Sequence, residues 1–213
     1  VTILGVCGST YDCTLKRLGS KRTGKDEVAR IASTHFGFTA LGLGDTLKSC
    51  FDDMDGRERF LSKELDENSW SKRKGWQIFG TEAREDAGFN PAWVQITLIK
   101  INYLAKYHPV PRSRFIIPDF RFGFEQEIVQ QWAAERGWVF RLIHVKRMLK
   151  KDDPAEKSFS LSDSQHSSEQ RTGELNPHII LLNDTPTLSE FHSKSHKLIE
   201  EIVIQTEDID AYF

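Results

Sequence analysis

The stretch Gly19-Ser20-Lys21-Arg22-Thr23-Gly24-Lys25-Asp26 restricts the fold more than any other part of the chain. It has the form Gly-x-x-x-x-Gly-Lys and opens a predicted helix, since Val28, Ile31, Ala32 and Phe36 follow at helical spacing and Gly37 supplies a stop. Glycines let the backbone curl until several N–H groups point inward, and the following helix presents its positive end, so such a loop suits phosphate. Lys25 then reaches the β- and γ-phosphates. Asp26 stands where a hydroxyl ordinarily meets Mg²⁺. A carboxylate there can hold the ion directly or through water, or simply complement the helix N-terminus.

Val1–Cys7 (VTILGVC) reads as a buried parallel strand ending at Gly8-Ser9, yet the loop arrives late, after a second Gly-Ser at Gly19-Ser20. Splicing Ser9 onto Lys21 restores an uninterrupted strand and loop, so Thr10–Ser20 is expected to be an exposed, dispensable surface insertion. The rival places the strand at Cys13–Leu18, where Lys16 and Arg17 suit double burial badly. Either Gly8 or Gly19 can open the loop.

Beyond the first helix, Phe38–Leu43 reads as a second strand, and a helical region expected over 44–90 begins at Gly44-Asp45 and passes through a charge-rich stretch. Asn90-Pro91 marks a helix start running to about Tyr107, with Val94, Leu98, Ile101 and Ala105 as its buried stripe. Arg114–Pro118 is a third strand, Glu125–Arg136 a helix, Trp138–Val145 a fourth strand and His178–Leu182 a fifth. Residues 146–177 are too polar for a core and read as a flexible lid. Thr187-x-x-Glu190 is a capping box for a last helix whose stripe is Leu188, Phe191, Leu198, Ile199, Ile202 and Val203. Strands alternating with helices predict an α/β fold, a five-stranded parallel sheet covered on both faces, with ligands beyond the carboxyl ends of the strands.

With 213 residues, 38% of them hydrophobic, the chain is expected to form one domain over 1–213. A formal charge of −2 gives no global attraction to a nucleic-acid polymer or an anionic membrane, so any basic site is local. Cys7, Cys13 and Cys50 lack metal-ligand spacing and suit free thiols in a cytoplasm. No apolar run approaches the roughly 18 residues of a membrane span, and no export signal is recognisable.

Three polar clusters remain. Arg73-Lys74-x-x-Gln77-x-x-Gly80-Thr81-Glu82-x-Arg84 can gather around a second anion or form an ordinary basic helix face. Pro118-Asp119-Phe120-Arg121, with Glu125, ends the third strand: Asp there can hold a magnesium-bound water, and Arg121 can grip a phosphoryl oxygen, unless the group is a salt-bridged turn. Arg147, His166 and Arg171 can close over a transferring phosphoryl and exclude water, although a solvated charge explains any one of them.

In order along the chain, Lys21-Arg22-Thr23-Gly24-Lys25-Asp26, Arg73-Lys74-x-x-Gln77-x-x-Gly80-Thr81, Trp93, Ile117-Pro118-Asp119-x-Arg121, His144-Val145-x-Arg147, His166-x-Ser168-Glu169 and Leu182-Asn183-Asp184 resemble the deoxynucleoside monophosphate kinases of tailed bacteriophages. The resemblance covers most of the chain and is weaker between Phe51 and Ser71. It implies a P-loop nucleoside-kinase fold, ATP as donor, Mg²⁺, and deoxynucleoside 5′-monophosphates as acceptors. By matching position, Gly19, Lys21, Arg22, Thr23, Gly24, Lys25, Arg147 and Asn183 fall to ATP and Asp26 and Asp119 to the metal. Arg73, Lys74, Gln77, Thr81, Arg84, Trp93, Arg121 and Glu125 form the acceptor side, and Lys25, Asp26, Asp119 and Arg121 carry the catalysis. The insertion before Lys21 departs from the family pattern, and Glu27 lacks a hydroxyl.

The animal-type phosphomevalonate kinases share Gly-Lys-Asp, a Gly-x-Glu-x-Arg-like segment and Asp-x-Arg. A nucleotide-dependent switch is a third possibility, disfavoured because no Asp-x-x-Gly element follows Asp119 and no Asn-Lys-x-Asp base reader is present. The sequence leaves the choice of base and the oligomeric state open, a homodimer included.

Overall fold

The computed structural model describes residues 1–11, 17–19, 23–53, 80, 91–107, 113–149 and 174–210. In chain order these form β1 (Thr2–Tyr11), β2 (Arg17–Gly19), α1 (Lys25–Phe36), β3 (Thr39–Ala40), α2 (Leu43–Asp53), α3 (Ala92–Tyr107), β4 (Arg114–Ile117), α4 (Gly123–Ala134), β5 (Val139–Met148), β6 (Ile179–Asn183) and α5 (Leu188–Asp210). Five strands run parallel in the order β3-β4-β1-β5-β6, as expected, and β2 adds a short antiparallel partner to β1.

The alternation of β1 sorts the core into two layers. Leu4 and Val6 pack with Val28 and Ile31 of α1 and with Phe191, Ile199 and Ile202 of α5 on one face. Ile3 and Cys7 pack with Val94, Leu98 and Ile101 of α3 and with Val129 and Ala133 of α4 on the other. Burial on both faces explains why the first part of β1 and most of β4 read as nearly continuous apolar runs. Arg114 closes the sheet's far end, donating to Phe36 O at 2.8 Å and pairing with Glu207 of α5.

The expected first strand was too short. β1 continues through Ser9, Thr10 and Tyr11, each opposite a residue of β5 (Lys146, Arg147 and Met148), and Thr10 is fully buried. The excursion is therefore not a free surface bulge from Thr10 onward. It is the far end of a hairpin in which Thr10 pairs with Gly19 and Tyr11 with Arg17. In place of the rival strand at Cys13–Leu18 the structure has the short β2, which pairs antiparallel with the end of β1 rather than running as the central parallel strand. Thr10 occupies a sheet position because β5 also overruns and places Arg147 opposite it on one side, while β2 places Gly19 on the other.

That overrun also corrects the amino-terminal edge of the expected lid. Lys146 and Arg147 belong to β5, and Leu149 beyond it is buried. At the other edge Leu175 is buried, and Asn176 exchanges two backbone bonds with the Gln126 side chain, at 2.6 and 2.8 Å. The rest of the lid, 150–173, with His166 and Arg171, lies outside the described residues.

Smaller differences have local causes. The second strand shrinks to Thr39–Ala40, both exposed on the sheet edge, because Leu43 already starts α2. Leu188 is not part of the α5 stripe; it stands 64% exposed in the first turn, before the helix reaches the sheet. The Thr187 hydroxyl does accept the Glu190 N–H, at 3.2 Å, one half of the expected capping box. No helix among the described residues is long and apolar enough to cross a membrane.

Candidate phosphate-binding site

The turn before α1 is built against three neighbours. Gly24 caps the helix in the left-handed conformation, with φ +96°, which an L side chain adopts only at a cost. A Cβ at Gly24 would lie 2.7 Å from the Phe191 ring and 3.0 Å from Asn183 Nδ2, so space as well as torsion demands glycine. Behind the turn, Thr23 is buried against Gly8, where a Cβ would come within 2.2 Å of the Thr23 hydroxyl. That hydroxyl accepts the Lys25 N–H at 3.3 Å, and the Thr23 carbonyl accepts from Asn183 Nδ2 at 2.8 Å.

Gly8 and Gly19 thus have different places. Gly8 lies within β1 and supplies the flat surface on which Thr23 rests; Gly19 ends β2 on the returning arm. Lys21 and Arg22 lie outside the described residues. Lys25 is mostly buried and its ammonium pairs with the Asp26 carboxylate, which is 83% exposed. A cation and an acidic oxygen thus stand together at the positive end of α1. In the first turn of the helix Glu27 meets both Arg30 and His192 of α5, and the Arg30 guanidinium, foremost, holds its carboxyl below the ordinary range.

Arg147 stands opposite Thr10 on one side and Asn183 on the other, so β1, β5 and β6 bring Thr10, Arg147 and Asn183 into one row across the carboxyl end of the sheet. Beside it is a pair that the sequence did not point to. Ser9 Oγ and His144 Nε2 share a hydrogen bond of 3.0 Å, both residues buried, where β1 and β5 run past the loop. The only signal was His144 within the His-Val-x-Arg segment, which carried no role of its own.

The strand-end cluster on β4 is arranged differently. Asp119 Oδ1 accepts the Leu43 N–H at 2.8 Å and Oδ2 the Gly44 N–H at 3.1 Å, so the carboxylate caps α2 across the sheet edge. Exposed N–H groups at a helix start need such acceptors, and sequence reading found the carboxylate without this partner. Glu125 is buried and its Oε2 accepts the backbone N–H groups of Arg121 and Phe122, at 2.8 and 3.1 Å, fixing the turn that carries Arg121. Trp93 Nε1 donates to Gly80 O at 3.4 Å, and a Cβ on Gly80 would strike the Leu47 side chain, so the start of α3 is joined to α2 through Gly80. Arg73, Lys74, Gln77, Thr81 and Arg84 lie outside the described residues.

No protein-family model matches the sequence, and no curated protein matches it. Among solved structures, dephospho-CoA kinase from Campylobacter jejuni superposes with a TM-score of 0.50 at 19% identity, covering 95% of this chain and 98% of that one. APS kinase of Mycobacterium tuberculosis, solved with AMPPNP and APS, gives a TM-score of 0.39 at 15% identity over 95% and 96% of the two chains, too low to add to the comparison. At these identities the likeness concerns architecture: the chain has the fold of the P-loop kinases.

Proposed function

We propose that this protein transfers the γ-phosphoryl group of ATP to deoxynucleoside 5′-monophosphates. The observation that carries the reading is the left-handed Gly24 turn delivering Lys25 and Asp26 to the start of α1, at the carboxyl end of the central strand. In the reaction an oxygen of the acceptor's 5′-phosphate forms the new bond to the γ-phosphorus as the bond to the β–γ bridging oxygen breaks and ADP leaves. Lys25 stabilises the charge that moves onto the bridging oxygen.

The exposed Asp26 carboxylate suits Mg²⁺, a hard cation that takes oxygen ligands. Asp119, whose two oxygens also accept the Leu43 and Gly44 N–H groups, would be the second oxygen donor. Bound there, the ion neutralises phosphate charge. Arg121, set by Glu125, and the acceptor-side residues Arg73, Lys74, Gln77, Thr81 and Arg84 hold the acceptor's dianion, with Trp93 bounding its base. Thr23 and Gly24, with Gly19, Lys21 and Arg22 before them, cradle the ATP phosphates, while Arg147 and Asn183 stand on the ATP side. An aromatic wall bounds bases without choosing among them, so broad base acceptance follows.

The test is ADP release coupled to product identification over all four deoxynucleoside monophosphates, the ribonucleotides, phosphomevalonate and dephospho-CoA. Transfer to several deoxynucleotides supports the reading. Phosphorylation of phosphomevalonate or dephospho-CoA alone replaces it, and slow release of free phosphate with no acceptor product identifies a switch.

A further inference from the structure

Asn183, the last residue of β6, directs its side-chain amide at the backbone of the phosphate turn. We propose that Asn183 is a positioning residue, acting on the nucleotide's phosphates through the Thr23 carbonyl rather than by touching base or sugar. The inference rests on the phosphate-binding reading of the turn.

The peptide joining Thr23 to Gly24 is planar and trans, so its carbonyl and the Gly24 N–H point in opposite directions. Holding the carbonyl toward β6 with a bond of 2.8 Å therefore aims the Gly24 N–H away from β6. Phosphate loops work through the direction of such N–H groups. Gly24 has no side chain of its own to resist rotation, and its φ of +96° is one basin among several open to glycine. The orientation must come from neighbours.

Three supply it. Gly8 lets Thr23 close against β1; the Phe191 ring fills the space beneath Gly24; among the described residues Asn183 alone provides a directional bond to the peptide itself. Asn183 is in turn held by the sheet, opposite Arg147 of β5. An amide fits this place because Nδ2 donates to a carbonyl, whereas an isosteric carboxylate would present a charged oxygen to that same carbonyl.

The experiment compares binding of Mg²⁺-tripolyphosphate, which has no base or sugar, with Mg²⁺-ATP and Mg²⁺-GTP, by calorimetry on the wild-type protein, Asn183→Asp and Asn183→Ala. Folding is checked by melting, and Asp184→Ala serves as a neighbouring control. Positioning predicts that Asn183→Asp weakens tripolyphosphate and ATP by the same factor, about tenfold, or roughly 1.4 kcal/mol, leaving the ATP-to-GTP ratio unchanged. Asn183→Ala weakens both equally and by less, and Asp184→Ala weakens neither. Intact tripolyphosphate binding beside weakened ATP, or a changed ATP-to-GTP ratio, overturns the proposal in favour of a base contact. Unchanged binding of every ligand in both variants also overturns it. Should one variant fail to fold, the other still decides, since each makes the same comparison between ligands. Failure of the wild-type protein to bind tripolyphosphate or ATP is a separate outcome, which removes the phosphate-binding reading beneath the proposal.

Discussion

The two ends of the candidate site use backbone and side chain in opposite ways. At the phosphate turn, Gly8, Phe191 and Asn183 hold the backbone in place, and Lys25 and Asp26 are set at the helix start beside each other. At the end of β4 the acidic side chains themselves hold the backbone: Asp119 caps α2, and Glu125 fixes the turn of Arg121 and Phe122. On the proposed function, the first arrangement supports chemistry by direct contact. The second decides where neighbouring elements stand, so on the same reading a mutation there should mix stability with activity.

Substitutions should separate the two ends, and the largest effect belongs to the first. Lys25→Ala is expected to lose on the order of 10²-fold or more in turnover with unchanged circular dichroism and melting, because Lys25 has no helix to hold in place. Near-native turnover would remove the phosphate-turn assignment. At the other end, Asp119→Ala strands the Leu43 and Gly44 N–H groups and should cost about 1–3 kcal/mol in urea unfolding. Asp119→Asn keeps one acceptor and should cost less. Equal loss of turnover in both variants, with no loss of stability, would make Asp119 a purely chemical group and dissolve the contrast.

Arg121→Lys tests a milder version of the same point. It keeps charge but loses the guanidinium fork, so acceptor KM or turnover should worsen while ATP affinity stays within about threefold, or roughly 0.6 kcal/mol. A defect confined to ATP would move Arg121 to the phosphate-turn end.

The smallest effect concerns the root of β6. His178 Nδ1 accepts the Leu142 N–H at 3.0 Å, and burial, aided by the Arg141 charge, lowers the ring's pKa below its ordinary 6.5. The unfolded chain then takes up the proton first as pH falls. Stability is therefore full above about pH 6.5 and declines toward the lower folded value. The residue is largely exposed, so the decline between pH 7 and 5 should stay under about 1 kcal/mol. Urea midpoints for the wild-type protein and His178→Gln over that range measure it, and identical pH slopes would refute the assignment.

Much of this was legible beforehand, for physical reasons that differ by residue. Gly24 and Lys25 announce themselves because a phosphate turn requires particular residue types at fixed spacing, and β4 because burial on both faces leaves the apolar run Phe115–Ile117. Asp119 was visible as a carboxylate at a strand end, but its partners are backbone N–H groups of Leu43 and Gly44, far away in sequence, and backbone carries no sequence signal. The Ser9–His144 bond was hidden for a related reason: it depends on β1 continuing through Ser9 beside β5, and Gly8-Ser9 looked like a stop. Asn183 carried a role through resemblance alone, and only the fold shows its amide on the Thr23 carbonyl.

The hairpin between Tyr11 and Arg17 has a consequence for what the architecture can absorb. Because Thr10 lies opposite Gly19, the chain leaves the sheet and re-enters it one strand spacing away, about 4.8 Å. Material added between those points lengthens a closed detour without displacing either anchor, at an entropic cost that grows only logarithmically with length. A recogniser that demands a phosphate loop immediately after its strand passes over such chains, although strand and turn remain in register. The same pairing makes the placement of Thr23 against Gly8 independent of how many residues separate Tyr11 from Arg17.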